Sequence, residues 1–409
     1  MKILHTSDWH LGHRLHEHSQ QEEQLLFLEW VTETIQKQKI DILLISGDIF
    51  DVSVPSSQSR KMYYDFLIGL RKTECKHIVI TAGNHDAPGT IDAPKELLSA
   101  LSIDVVGKSS ENISDEIFTY TVGEESVIIA AVPYLRDQDI RRAVAGEDFD
   151  EIKDRYKIAL TNHYRSAANY CNSINTTACP QIAMGHLFAV GGKVSDSEQN
   201  IYVGSLGDIS ASNFPKEFDY IALGHLHRPQ IVAKNERIRY SGSPNILSFS
   251  ELKYDKKVIE IEIKGNEISD IQELIIPRFR DIISVSGDLQ SCLFSLMEIA
   301  NKQYDLIPWV EVVLNNDSNT NIGYNDIQLA VDELNKESIK LEVLKITFKN
   351  RRNIKSLNKI IEDSKDIKNL TAIDVFKEKC NEQDFDLDEN ADIIDAFNEI
   401  VNLIKEEEK

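Results

Sequence analysis

Five short segments carry acid, amide and imidazole side chains at spacings that suit a site for two metal ions. They are Asp8-Trp9-His10, Gly47-Asp48, Gly83-Asn84-His85-Asp86, Gly185-His186 and Gly224-His225-Leu226-His227. Each follows an apolar run rich in β-branched residues, over 1–6, 40–45, 77–81, 181–184 and 219–223. Strands that end in functional loops are where open α/β sheets place their chemistry. Asp8 and His10 stand two residues apart just past a strand run, as do His225 and His227; in extended chain both members of a pair point to the same side. Histidine mixed with carboxylate suits Mn, Fe or Zn better than Ca or Mg alone.

A single ion is overserved by Asp8, His10, Asp48, Asn84, His186, His225 and His227. Two ions sharing one carboxylate match the set, and Asp48, preceded by a glycine that permits a tight turn, is the best bridge. Two metals about 3.5–4 Å apart polarise a phosphoryl group and lower the pKa of a bound water held in line for attack. His85, next to Asn84 in the chain, should point away from that ligand and towards the phosphate, to stabilise the transferring group or protonate the leaving oxygen. Asp51 and Asp86 are placed to touch second groups that orient the ligands or His85. His5, inside the first strand run, is expected to be packed in the core. His13, His16 and His18 fall in a polar loop and are expected to be solvated, and His163 is left unassigned.

The elements that must position these groups are legible in outline. Strand-like and helical runs alternate over 1–276, with helical spacing over 20–39 (Leu25, Phe27, Leu28, Val31, Ile35) and 59–71 (Met62, Phe66, Leu70). A polar helical stretch covers 147–170, and 254–263 and 268–276 read as paired strands turning at Gly265-Asn266. Together these predict an α/β domain, mixed sheet layered with helices. After Pro277 the pattern is β-α-β-α-β over 282–285, 289–301, 309–314, 326–334 and 341–348, a small second domain over 277–349. The segment 350–409 has no glycine or proline; Thr371 and Asp374 have capping-box spacing, and Ile393, Phe397, Ile400 and Ile404 make an apolar stripe. That stripe suits a helix docked on a partner or on its own chain.

Composition bounds the function. The chain has 409 residues, 42% of them hydrophobic and 27% charged, as in ordinary globular proteins. No apolar run approaches the roughly 20 residues that span a bilayer, and no leader-like pattern opens the chain, so the expectation is cytoplasmic, without membrane contact. Five scattered cysteines (Cys75, Cys171, Cys179, Cys292, Cys380) without a paired motif argue against structural zinc or a disulfide framework. The net charge of −22 runs against a nucleic-acid enzyme that binds phosphate with its own lysines and arginines.

The segment from Gly47 through Ile49-Phe50 to Asp51, with the other four motifs, resembles the calcineurin-like metallophosphoesterases. The connecting text looks like the SbcD family, the nuclease subunits of bacterial SbcC–SbcD DNA-repair complexes. It includes Val132-Pro133-Tyr134-Leu135-Arg136, 222–230 around His225 and His227, Tyr240-Ser241-Gly242-Ser243-Pro244 and Leu247-Ser248-Phe249-Ser250-Glu251. The likeness is dense over residues 1–276 and, beyond them, one of placement and pattern.

This resemblance implies a layered metallophosphoesterase sandwich (1–276), a βαβαβ cap (277–349) and a helical tail (350–409) that grips the coiled-coil base of an SbcC-type ATPase. It implies Mn2+ as the working metal, with Mg2+ as the alternative. Asp8, His10, Asp48 and His227 would hold one ion, Asp48, Asn84, His186 and His225 the other, with His85 as the catalytic histidine. It also implies a homodimer within a heterotetramer. The activities implied are ATP-dependent 3′→5′ exonuclease action on double-stranded DNA ends and endonuclease action on hairpins and single strands. One departure is visible: the family often carries paired prolines after the aspartate motif, and here Pro55 is followed by Ser56.

Two rival readings follow from the same residues. A phosphoprotein phosphatase or small phosphodiesterase on this scaffold usually has glutamate after the G-N-H motif and arginine after the second aspartate; here those places hold Asp86 and Val52. A non-catalytic scaffold would have lost ligands, and this chain keeps all of them. The acidity predicts weak DNA affinity for the subunit alone, with metal ions and an ATPase partner supplying the positive field.

Overall fold

The structure, a computed structural model, describes residues 1–140, 149–190, 208–316, 324–336 and 338–350. The expected helix around Ile393, Phe397, Ile400 and Ile404 and the cap at Thr371 lie outside these residues, as does Cys380.

Two six-stranded sheets stack face to face. The first runs, in spatial order, Glu267–Ile275, Lys257–Lys264, Lys2–Thr6, Ile42–Ser46, His77–Thr81 and Ile103–Val106. Its last four strands are parallel, and the first two form an antiparallel hairpin added at one edge. The second runs Gln230–Val232, Asn235–Tyr240, Tyr220–Gly224, Gln181–His186, Glu125–Ala131 and Ile117–Val122. A separate small sheet, 282–287 with 309–316 and 342–350, belongs to the expected cap region.

Alternation along the strands explains the layering. Ile3, Ile42, Leu44 and Val79 face the second sheet and pack with Ile129, Ile182, Met184 and Ala222. Leu4, Leu43, Ile45 and Ile80 face the opposite way, onto a helical layer. Because both faces are covered, Ile42–Ser46 is buried along its whole length, which is why it reads as a continuous apolar run. His5 lies between the sheets, fully buried, with Nδ1 3.0 Å from the Tyr220 hydroxyl, so it is the core histidine expected.

Helix Gln21–Gln38 lays Phe27, Leu28, Val31 and Ile35 on the first sheet and ends at Lys39 in a left-handed conformation. Helix Ser57–Leu70 adds Met62, Phe66 and Leu70. Ser56, standing where the second proline was expected, is its N-cap: its Oγ accepts from the Ser59 N–H at 3.0 Å. Helix Phe149–Ile174 covers the second sheet with Leu160, Tyr164, Ala167 and Cys171. No helix among the described residues is long and apolar enough to cross a membrane.

The elements after Pro277 run strand Ile282–Gly287, helix Leu289–Ala300, strand Trp309–Asn316, helix Tyr324–Leu334 and strand Glu342–Asn350. They share an apolar core of their own that includes Val285, Leu296, Val310, Ile327 and Leu341. Arg280 pins this layer to the first helix. It pairs with Glu23 and, at 2.5 Å, with Glu22, donates to the Ile307 carbonyl at 2.6 Å, and lies 4.3 Å from the Trp309 ring centroid.

Candidate metal centre

The five motif segments sit at the carboxyl ends of strands that run parallel within each sheet, so their loops gather at one end of the sandwich. Ser46 joins the two sheets there. Its Oγ donates to the Ala222 carbonyl at 3.0 Å, and its own carbonyl accepts from His186 Nδ1 at 3.0 Å.

The turns that deliver the ligands depart from extended backbone. Asp8 (φ 53°), His10 (φ 45°), Asp48 (φ 49°) and His225 (φ 104°) all have positive φ. The expectation that Asp8/His10 and His225/His227 align through extended chain is therefore corrected; convergence comes from turns. Such conformations cost on the order of 1–3 kcal/mol each and persist where the surroundings over-determine them. Here the Asp8 and His10 N–H groups donate to the Gly47 and Asp48 carbonyls at 3.0 Å. The His225 N–H donates to Asp8 Oδ1 at 2.8 Å, and the His85 N–H to Asp48 Oδ1 at 2.9 Å. Gly83 is required by close approach: a Cβ there would stand 2.2 Å from Asp48 Oδ1.

These loops bring all seven expected ligands into one cluster, in which six are buried and Asn84 is half-buried. Asp48 Oδ2 lies 3.2 Å from His186 Nε2 and 3.6 Å from His10 Nε2. Asn84 Oδ1 lies 3.0 Å from His186 Nε2 and 2.9 Å from His225 Nδ1. Ligand atoms of Asp8, His10 and His227 lie within 4.8 Å of one another, as do those of Asp8, Asp48 and His186, and those of His10, Asp48 and His85.

The donor set fits cations. His10 Nε2 is buried and has no hydrogen-bond partner among the described residues. With Nδ1 of His186 donating to Ser46, its Nε2 faces two acceptor oxygens, an arrangement that needs either a second ring proton or a cation in that proton's place. Protonation shows the same demand. Burial acts to lower the His186 imidazole, but the Asp48 carboxylate outweighs it and pushes it up to about 9. Against the cost of burial, His186 and then His10 hold Asp48 well below the usual carboxylate range. His225, disfavoured by burial and then by a charged His186, falls to about 3.

His85 Nδ1 donates to the Asp51 carbonyl at 2.8 Å, which leaves Nε2 as its remaining ring nitrogen. The Asp51 carboxylate lies 2.8 Å from His13 Nδ1 and 3.3 Å from His10 Nδ1. His13 is thus half-buried and paired, which corrects the expectation of a solvated side chain. Its loop turns there through the His13 N–H, which donates to the His10 carbonyl at 2.9 Å. His18 contacts Glu342 at 3.2 Å, and His16 is exposed beside Phe249. His163 Nε2 lies 2.8 Å from the buried Glu116.

Asp86 holds the ligand loops through their backbone. Its carboxylate accepts from the N–H groups of Gly83, Ile49 and Phe50 at 2.8–3.1 Å, tying two motif loops together. Burial, followed by the neighbouring Asp48 charge, pushes it up to about 6. Arg136, at the end of the segment 132–136, donates from Nη2 to the Asp86 carbonyl at 3.0 Å. Two polar groups that the motifs did not assign also support the cluster: Ser7 Oγ donates to Asp8 Oδ2 at 2.5 Å, and Glu251 approaches His227.

The calcineurin-like phosphoesterase family matches residues 1–229. The SbcD component of the nuclease SbcCD from Escherichia coli K12 is 34% identical over 345 residues, which is 84% of this chain and 84% of that protein. This chain belongs to the SbcD family. The Bacillus subtilis 168 member is 28% identical over 366 residues, 86% of this chain and 91% of its own length. That of Rhodobacter capsulatus is 33% identical over 277 residues, 65% of this chain and 67% of its own. As an SbcD-family phosphoesterase the chain is a metal-dependent hydrolase of the nuclease class, and the cluster of aspartate and histidine is where such metals can bind.

Proposed function

We propose that the chain is the cytoplasmic nuclease subunit of an SbcC–SbcD-type complex, cutting double-stranded DNA ends and hairpins with two Mn2+ ions. Asp8, His10, Asp48 and His227 would hold one ion and Asp48, Asn84, His186 and His225 the other. The observation that carries this reading is the convergence of six buried groups and the half-buried Asn84 in one cluster that has Asp48 in contact with His10 and His186. Bound there, the ions would supply the charge that neutralises a scissile phosphate and lowers the pKa of the attacking water.

The residues supply positioning and a proton. Asp48, with Oδ1 held by the His85 N–H, keeps Oδ2 towards His10 and His186. His85, anchored through Nδ1 to the Asp51 carbonyl, uses Nε2 to contact the phosphate or to protonate the departing ester oxygen as the P–O bond breaks. Asp86 holds the two loops that carry these groups.

Duplex binding is shared. With a net charge of −22 the chain relies on its ions and on an SbcC-type ATPase for most backbone contacts, and two copies of each would form a heterotetramer. Nuclease assays with and without Mn2+, the cognate ATPase and ATP test this. The expected result is cleavage of duplex ends and hairpins that depends on Mn2+ and is stimulated by the partner with ATP. Faster turnover of a generic phosphodiester or a phosphoprotein than of hairpin DNA would contradict it, as would tight, metal-independent DNA binding by the isolated chain.

A further inference from the structure

Glu251 is completely buried, and so is most of His227. Glu251 Oε1 lies 3.4 Å from His227 Nδ1. Oε2 lies 2.6 Å from Lys256 Nζ and accepts from the Leu247 N–H at 3.1 Å. Lys256, itself buried, donates to Ser243 Oγ at 2.7 Å and reaches the His227 carbonyl at 3.3 Å; the Ser243 N–H donates to that same carbonyl at 3.1 Å. One network therefore grips His227 at its ring and at its backbone.

We propose that Glu251 is a positioning residue for the metal centre: its carboxylate takes the Nδ1–H of His227, fixes the tautomer, and leaves Nε2 to join Asp8 and His10 as a metal ligand. This rests on the two-ion reading above and extends it to a residue 24 positions beyond His227 in the chain. The chemistry is that of a carboxylate–histidine–metal relay, in which the outer partner orients the ring and raises its basicity. A buried Lys–Glu pair alone gains little over apolar packing, because desolvating both charges offsets their attraction. The pair has a purpose here because Lys256 Nζ holds Glu251 Oε2 at 2.6 Å and so leaves Oε1 facing the imidazole at 3.4 Å.

The test is calorimetric titration of Mn2+ into wild type, Glu251→Gln, Glu251→Met and the double variant Glu251→Leu/Lys256→Met, with the metal-free unfolding temperature of each. The double variant removes the acceptor without stranding a charge. It should unfold near the wild-type temperature, bind one ion normally and bind the other about 10–100-fold more weakly. Glu251→Gln, which keeps an acceptor oxygen, should restore most of that loss. Wild-type affinity for both ions in the double variant overturns the proposal, and so does a Glu251→Gln variant that binds as weakly as the double variant. If the double variant does not fold, Glu251→Met set against Glu251→Gln decides: both leave Lys256 without its carboxylate and only the first removes the acceptor oxygen, so weaker Mn2+ binding by Glu251→Met supports the proposal and equal binding overturns it. A wild-type protein that takes up fewer than two ions overturns the two-ion reading itself, and Glu251's role with it.

Discussion

The backbone N–H of His85 donates to Oδ1 of Asp48 at 2.9 Å. The residue proposed to bridge the ions therefore also fixes the loop that carries the proposed catalytic imidazole. On the proposed roles metal binding and proton delivery would share one carboxylate, and the two functions should separate only when the His85 side chain alone is removed.

His85→Ala keeps that backbone contact. It should bind Mn2+ and the ATPase partner as wild type does while kcat falls by about 10²–10⁴. Calorimetry and single-turnover cleavage check this. Equal cleavage rates would remove His85 from the chemistry.

Gly83→Ala should act through Asp48. The added methyl would sit 2.2 Å from Asp48 Oδ1 and 2.3 Å from its N–H nitrogen, so the loop must shift and take Asn84 and His85 with it. Mn2+ affinity should fall at least about tenfold, in line with disturbance of a ligand's support. Gly89→Ala, whose new Cβ meets nothing within 4 Å, should leave it unchanged.

Much of this was legible because a β-branched run followed by a polar motif is local in sequence. The runs before Asp8, Asp48, Asn84, His186 and His225 all form the strands that they suggest. What spacing did not reveal arises between distant segments. The positive φ of Asp8 and Asp48 is held by hydrogen bonds between two loops, which residue type alone does not specify. The division into two stacked sheets depends on which face of each strand meets which, as between Ile3 and Ile182 in the shared core. His13 and Glu251 were opaque because their partners, Asp51 and His227, are distant in sequence.

Acid should destabilise the metal-free protein through two buried histidines, with Asp86, raised to about 6, offsetting part of the loss. Burial pushes both His5 and His225 down to about 3. Between roughly pH 6.5 and 3 the unfolded chain binds these protons and the folded chain does not, so stability falls as pH falls, by up to about 1.4 kcal/mol per pH unit for each. His186 has the opposite sign. Raised to about 9, it contributes stability that is complete below 6.5 and lost as pH rises through 9. Metal-free Tm measured from pH 5 to 9 should fall towards both ends, and a flat profile would contradict these assignments. A cation must also displace the His186 proton, so Mn2+ binding at pH 7.5 should release about one proton, measurable by titration in buffers of different ionisation heat.

Removing residues from about 370 onward deletes the Ile393, Phe397, Ile400 and Ile404 stripe but none of the proposed ligands. The truncated protein should retain both ions and lose the ATPase partner in a co-purification assay. Retention of the partner would place its docking surface elsewhere.

Anomalous diffraction at the manganese edge, on crystals of the Mn2+-loaded protein, addresses the shared carboxylate most directly. Two peaks about 3.5–4 Å apart, with Asp48 contacting both, is the result expected for a two-ion phosphoesterase site. A single peak, or two peaks without Asp48 between them, would contradict it.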